Sequence, residues 1–190
     1  MIKKLIPNYY YKTIYDIPYN QLYDKGIRLI LTDLDNTLVS YKVKEPTEEV
    51  IELKNKLEEL GFEIIIISNS KKDRVDLFAS KFGVKYEKFC MKPLKKGILK
   101  AINKVADKKY DKSEIIMIGD QLMTDVLGGK RCGLEVILVE PIDKSTDVNT
   151  TKFNRKLESF FINRIKKKCP NEYNLYLKEF AGDIDDSEKM

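Results

Sequence analysis

Two aspartates one residue apart, Asp33 and Asp35, stand directly behind a short apolar run, Arg28-Leu29-Ile30-Leu31-Thr32. Alternate residues of an extended chain share a side, so both carboxylates point the same way. Such a pair can hold Mg²⁺, a cation that takes oxygen ligands and lets two negative charges sit close without one taking up a proton. One carboxylate can then attack while the other handles a proton, although turn or capping carboxylates fit the same spacing. Ser68-Asn69 places a hydroxyl and an amide behind a second apolar run. Phosphate oxygens are commonly received at such a junction, and an ordinary helix cap has the same residues. Lys92-Pro93 sets a lysine ahead of a helix whose first turn suits proline. Gly119-Asp120-Gln121-Leu122-Met123-Thr124-Asp125 puts one carboxylate behind a third apolar run and another five residues on.

The rest of the composition narrows the chemistry. The 190 residues contain no histidine, which removes histidine triads, His-bound metals and imidazole acid/base catalysis. Hydrolysis must therefore run on carboxylates, lysine, hydroxyls and oxygen-bound metal. Hydrophobic residues make up 43% and charged residues 34%, enough for one core under a heavily charged surface. The net charge of +5 suits an anionic partner without naming one. Cys90, Cys132 and Cys169 are odd in number and widely spaced, which suits neither a disulfide framework nor a zinc cluster. No apolar run approaches the length of a spanning helix, and Pro7 interrupts the first apolar stretch, so a soluble cytoplasmic protein is expected.

The elements that must position these residues alternate. Strands are predicted at 28–32, 62–67, 84–86, 114–118 and 135–139, and helices at 47–60, 73–82, 93–106 and 122–132. Thr47-Glu48-Glu49-Val50 caps the first helix and Gly61 ends it. Strand–helix alternation at this spacing implies right-handed crossovers and an α/β fold, a doubly wound parallel sheet covered on both faces. Every polar cluster falls at the carboxyl end of a strand, the edge where such sheets bind ligands.

Together the D-x-D-x-T, S-N, K-P and G-D-x-x-x-x-D signals, over Arg28 to Val139, resemble the haloacid dehalogenase (HAD) superfamily. The resemblance implies a HAD-like Rossmannoid fold and a Mg²⁺-dependent phosphatase. Asp33 would be the nucleophile that forms an aspartyl-phosphate, and Asp35 the general acid and base. Thr37, Ser68, Asn69 and Lys92 would receive the phosphoryl group. Asp120 would complete the metal site with Asp33 and the backbone carbonyl of Asp35, and Asp125 would stand behind it or touch it through water. The presence of Asp35 favours phosphoryl transfer to water over dehalogenation, because an alkoxide leaving group needs a proton and halide does not.

The intervals between motifs leave no room for a cap domain, so an open site is expected, suited to a phosphate carried on something large. Leu5-Ile6-Pro7-Asn8-Tyr9-Tyr10, Thr32 to Val39, Gly119 to Val126, Pro141-Ile142 and Phe153-Asn154-Arg155 are similar to the YqeG-like subfamily of HAD IIIA phosphatases. That subfamily is similar to phosphatidylglycerophosphate phosphatases, which implies a phospholipid headgroup as substrate and peripheral contact with the inner face of a membrane. Phosphoprotein, nucleic-acid or small phosphorylated substrates, or phosphate binding without turnover, are the alternatives; no nucleic-acid partner is expected, since no recognition motif accompanies the charge.

The predicted organisation is a tyrosine-rich N-terminal extension (1–27), the catalytic domain (28–142), a basic helical extension (143–181) and an acidic unstructured tail (182–190). The tyrosines of the first segment and the basic helix from Phe153 to Lys168 could each lie at a headgroup interface or pack on the domain.

Overall fold

The computed structural model describes residues 2–71, 73–143, 145 and 149–182. The strands β1 (Tyr9–Tyr11), β2 (Leu29–Thr32), β3 (Glu63–Ile67), β4 (Lys85–Glu87), β5 (Ile115–Gly119) and β6 (Glu135–Val139) form one sheet in the order β1-β6-β5-β2-β3-β4. Every pairing is parallel. From β2 the chain winds outward through β3 and β4, then crosses back to β5 and β6. The order therefore reverses between β2 and β5, which opens a crevice at their carboxyl ends. Thr32 pairs with Ile118 there, so Asp33 and Asp120 leave the sheet side by side.

Alternation along the strands divides the core in two. Leu29, Leu31, Ile65, Ile67, Ile115 and Met117 belong to one buried cluster, and Ile30, Ile64, Ile66, Ile116 and Ile118 to the other. Each face is covered by helices. The second cluster takes Leu22 of α1 (Tyr19–Asp24), Val50 and Leu57 of α2 (Glu48–Glu59), and Val75 and Phe78 of α3 (Asp73–Phe82). The first takes Ile98 and Ala101 of α4 (Lys95–Val105), Leu127 of α5 (Leu127–Cys132), Ile162 and Ile165 of α6 (Asn149–Lys168) and Tyr173 of α7 (Pro170–Tyr176). At about 1.5–3 kcal/mol per buried aliphatic side chain, these two layers are the main favourable term holding the sheet.

Three differences from the sequence expectation have physical causes. The first is that the N-terminal segment supplies the edge strand β1, with Tyr9 opposite Ile137 and Tyr11 opposite Val139, and the helix α1. Two of its tyrosines are tied by their hydroxyls, Tyr10 donating to Glu140 at 2.7 Å and Tyr19 to the Ile14 carbonyl at 2.8 Å, while Tyr15 stays exposed. The second is that Leu122–Val126 forms a π-turn before α5 instead of one continuous helix. The third is that the C-terminal extension has a further helix, α7, restarted by Pro170 in its first turn.

No cap is inserted among the described residues. No helix among them is long and apolar enough to cross a membrane. The cysteines are free. The acidic tail beyond Gly182 lies outside the described residues.

Candidate active site

Asp33 follows β2 and Asp120 follows β5, and the π-turn brings Asp125 back over the end of β5. Oxygens of these three buried carboxylates lie within 4.8 Å of one another. Gly119 is required by this approach: a Cβ there would lie 2.3 Å from the Asp125 Cγ. Asp125 is fixed from its own loop, its Oδ2 accepting from the Gln121 N–H at 3.1 Å and the Thr124 hydroxyl at 3.2 Å.

Lys92 enters from the loop between β4 and α4. Its Nζ reaches Asp33 Oδ1 at 2.5 Å, Asp125 Oδ1 at 2.8 Å and the Ile67 carbonyl at 2.9 Å. The ammonium thus donates to Asp33 and to the Ile67 carbonyl and pairs by charge with Asp125. Asn69 holds the lysine from behind: its Oδ1 accepts the Lys92 N–H at 2.6 Å and its Nδ2 donates to the Lys92 carbonyl at 2.9 Å. Ser68 is buried and its hydroxyl accepts the Ser70 N–H at 3.1 Å, which shapes the turn that carries Asn69. The Thr37 hydroxyl lies 3.4 Å from Asp120 Oδ1.

The electrostatics follow from burial. Burial pushes the Asp33 carboxyl up to about 6, with Lys92 opposing and Asp125 adding to the rise. Burial alone would depress Lys92, but the Asp125 and Asp33 carboxylates outweigh it and hold its ammonium above the usual lysine range. Three carboxylates face one lysine, an excess of negative charge that a divalent cation would offset. An all-oxygen set without histidine or cysteine suits a hard ion of the Mg²⁺ type. The donors present therefore fit a divalent metal held by Asp33, Asp120 and Asp125.

Asp35 stands apart from that cluster. Its carboxylate pairs with Arg74 near the start of α3, and the same guanidinium donates to the Val43 carbonyl. The motif residues Asp33, Thr37, Ser68, Asn69, Lys92, Asp120 and Asp125 are brought together, and Asp35 is tied at the margin by a partner the sequence does not single out. Arg74 follows the Ser68-Asn69 junction by five residues, a signal lost among 35 lysines and arginines.

Glu158 of α6 was also not legible. It is buried and its Oε1 accepts the Leu122 N–H at 2.6 Å, so the C-terminal helix braces the turn that carries Asp120 and Asp125. Glu158→Leu should weaken the binding of a divalent cation at these carboxylates by about 10-fold or more, as loss of a group supporting the ligands typically does, and titration calorimetry with Mg²⁺ would read it. Unchanged affinity would show that the turn keeps its shape without the helix.

Residues 2–143 match the family model described as mitochondrial PGP phosphatase. The chain is 37% identical over 169 residues to "Probable phosphatase YqeG" of Bacillus subtilis (strain 168), covering 88% of this chain and 96% of that one. Among solved structures, an uncharacterized protein from Listeria monocytogenes serotype 4b superposes with a TM-score of 0.50 at 17% identity, covering 65% of this chain and 83% of that one. The cobalt-bound deoxy-D-mannose-octulosonate 8-phosphate phosphatase YrbI of Haemophilus influenzae gives a TM-score of 0.47 at 10% identity, covering 73% and 89%.

Proposed function

Because this chain belongs to the mitochondrial PGP phosphatase family, and is a phosphatase on a HAD-type fold, we propose that it hydrolyses the terminal phosphomonoester of phosphatidylglycerophosphate with Mg²⁺. The observation that carries this reading is the buried cluster at the sheet's switch point, where Lys92 bridges Asp33 and Asp125 beside Asp120.

Asp33 is the nucleophile: its carboxylate oxygen bonds to phosphorus as the bond from phosphorus to the leaving oxygen breaks, giving an aspartyl-phosphate. Asp35 protonates the departing alkoxide, then takes a proton from the water that cleaves the aspartyl-phosphate. Arg74 holds Asp35 before substrate arrives. Lys92 stabilises the charge that spreads over the phosphoryl oxygens, Asn69 keeps its backbone in place, and Thr37 and Ser68 line the approach. Asp33, Asp120 and Asp125, with the Asp35 carbonyl, would hold a divalent cation, which would supply the positive charge that lets an anionic phosphate approach a carboxylate. The described residues insert no cap over the site, which leaves room for a headgroup still seated in a lipid surface. Free cysteines suit the reducing cytoplasmic side of a membrane.

Phosphate release with Mg²⁺ should be fastest from phosphatidylglycerophosphate in micelles when compared with a phosphopeptide, 5′-phosphorylated DNA and an aryl phosphate. Faster turnover of any of the other three would remove the lipid from the reading and leave the phosphatase.

The raised Asp33 carboxyl makes metal binding depend on pH. A carboxyl must lose its proton to ligate, so Mg²⁺ affinity should fall about tenfold for each pH unit below about 6. In the metal-free protein the sign for stability is opposite to that of a salt-bridged aspartate. The folded state holds this proton between the ordinary value of 3.8 and about 6, so stability should decline as pH rises through that window. The decline should be on the order of 2–3 kcal/mol, read from melting curves in chelator. A flat profile would mean that Asp33 is ionised throughout.

A further inference from the structure

We propose that the loop from Lys88 to Lys96, which carries Lys92 into the active site, also presents the enzyme to an anionic lipid surface. Phe89, Met91 and Leu94 are 45%, 43% and 52% exposed, three large apolar side chains within six residues of chain at the rim of a polar site. The inward places go to Cys90 and Lys92, both buried. Phe89 and Met91 adopt φ of 57° and 51°, the left-handed region that side chains disfavour, so the backbone is held where it turns apolar groups outward.

The loop is fixed from below. The Phe89 N–H donates to the Ser70 carbonyl at 3.0 Å and the Cys90 N–H to the Ser68 carbonyl at 2.9 Å. A Cβ on Gly97 would lie 1.6 Å from the Cys90 carbonyl oxygen, so α4 packs on the loop with no space between.

The charge around the apolar tips selects the partner. Residues 88–96 contain no acid; of their four lysines Lys92 is buried against Asp33 and Asp125 and Lys88 pairs with Asp76, which leaves Lys95 and Lys96 for a partner. Lys95 and Lys96 are exposed, and the Lys71 ammonium sits 3.8 Å from the centre of the Phe89 ring. Aromatic and aliphatic tips ringed by lysine match an interface of acyl chains beneath anionic headgroups. The two segments the sequence offered for that role put most of their apolar groups into the domain: Tyr10 and Tyr19 are hydrogen-bonded within it and Ile162 and Ile165 of α6 are buried in the core, so among the described residues each presents a single exposed ring, Tyr15 and Phe160, where the loop clusters three apolar tips. The surface rests on the lipid-phosphate reading, and it sits on the edge of the sheet where such a headgroup would be hydrolysed.

The test is co-sedimentation of the full chain with vesicles of equimolar phosphatidylcholine and phosphatidylglycerol, against pure phosphatidylcholine. The comparison protein carries Phe89→Asn, Met91→Asn and Leu94→Gln. Asparagine tolerates the left-handed backbone, so the fold should hold, and Lys71→Gln with Lys95→Gln and Lys96→Gln is a second variant confined to exposed residues.

Wild type should pellet with the anionic vesicles in a salt-sensitive way, and each variant should bind roughly tenfold more weakly or worse. Release of phosphate from an aryl phosphate should stay within about twofold for the apolar variant. Wild type remaining in the supernatant with anionic vesicles, or variants binding as wild type, would overturn the surface. Hydrolysis of micellar phosphatidylglycerophosphate by wild type and variants alike, without vesicle binding, also overturns the surface while leaving the substrate standing. Vesicle binding without lipid hydrolysis keeps the surface and removes the substrate.

Discussion

Asp33→Asn should abolish phosphate release, by about 10⁴-fold or more, while leaving the fold intact. Asparagine has the size and shape of aspartate but is a far weaker nucleophile toward phosphorus, so the proposed covalent step would have no substitute. The buried side chain also loses a charge that burial opposes. Melting curves in chelator above about pH 6 should therefore show a variant as stable as wild type or more so. Loss of turnover together with kept stability separates chemistry from folding. Residual turnover within tenfold of wild type would assign the nucleophile to another group. Asp35→Asn is the useful contrast: loss of a proton-transfer group should cost a smaller factor, about 10²–10⁴.

Lys92→Met should cost both stability and turnover. The lysine is buried between Asp33 and Asp125, and its removal leaves two carboxylates facing each other with no cation between them. Breaking a buried ion pair from one side typically costs about 3–5 kcal/mol. For a chain of this size that corresponds to a fall in Tm of roughly 10 °C, measured in chelator. Mg²⁺ should restore part of the stability, since it supplies charge to the same carboxylates, and should not restore turnover, which also needs the ammonium at the phosphoryl oxygens. A variant that melts as wild type in chelator would show that the carboxylates are not both ionised there.

How far the sequence led depended on whether a residue's task was local. β2, β3, β5 and β6 are apolar runs that need two covered faces, and Asp33, Ser68 and Asp120 follow directly from where those runs stop. β1 could not be read in this way, because three half-buried tyrosines on a sheet edge carry no apolar run or alternation. The pairing of Asp35 with Arg74 and the bracing of Leu122 by Glu158 join residues distant in the chain, and a charge in a helix otherwise reads as solvated. The resemblance implies a place for Asp125 behind the metal site or in touch with it through water, and the π-turn at Leu122–Val126 also brings it into contact with Lys92, which the sequence does not foretell. In Phe89-Cys90-Met91-Lys92, hydrophobicity alone would turn Phe89 and Met91 inward. The positive φ angles reverse this, and the lysine reaches Asp33.

The most direct test of the mechanism is to quench wild-type enzyme in acid during turnover of phosphatidylglycerophosphate with Mg²⁺ and to map phosphoryl groups by mass spectrometry. A phosphoryl group on the peptide containing Asp33, absent from Asp33→Asn and accumulating in Asp35→Asn, is the predicted result. Turnover with no phosphorylated Asp33 at any quench time, or with the phosphoryl group on another residue, would contradict it.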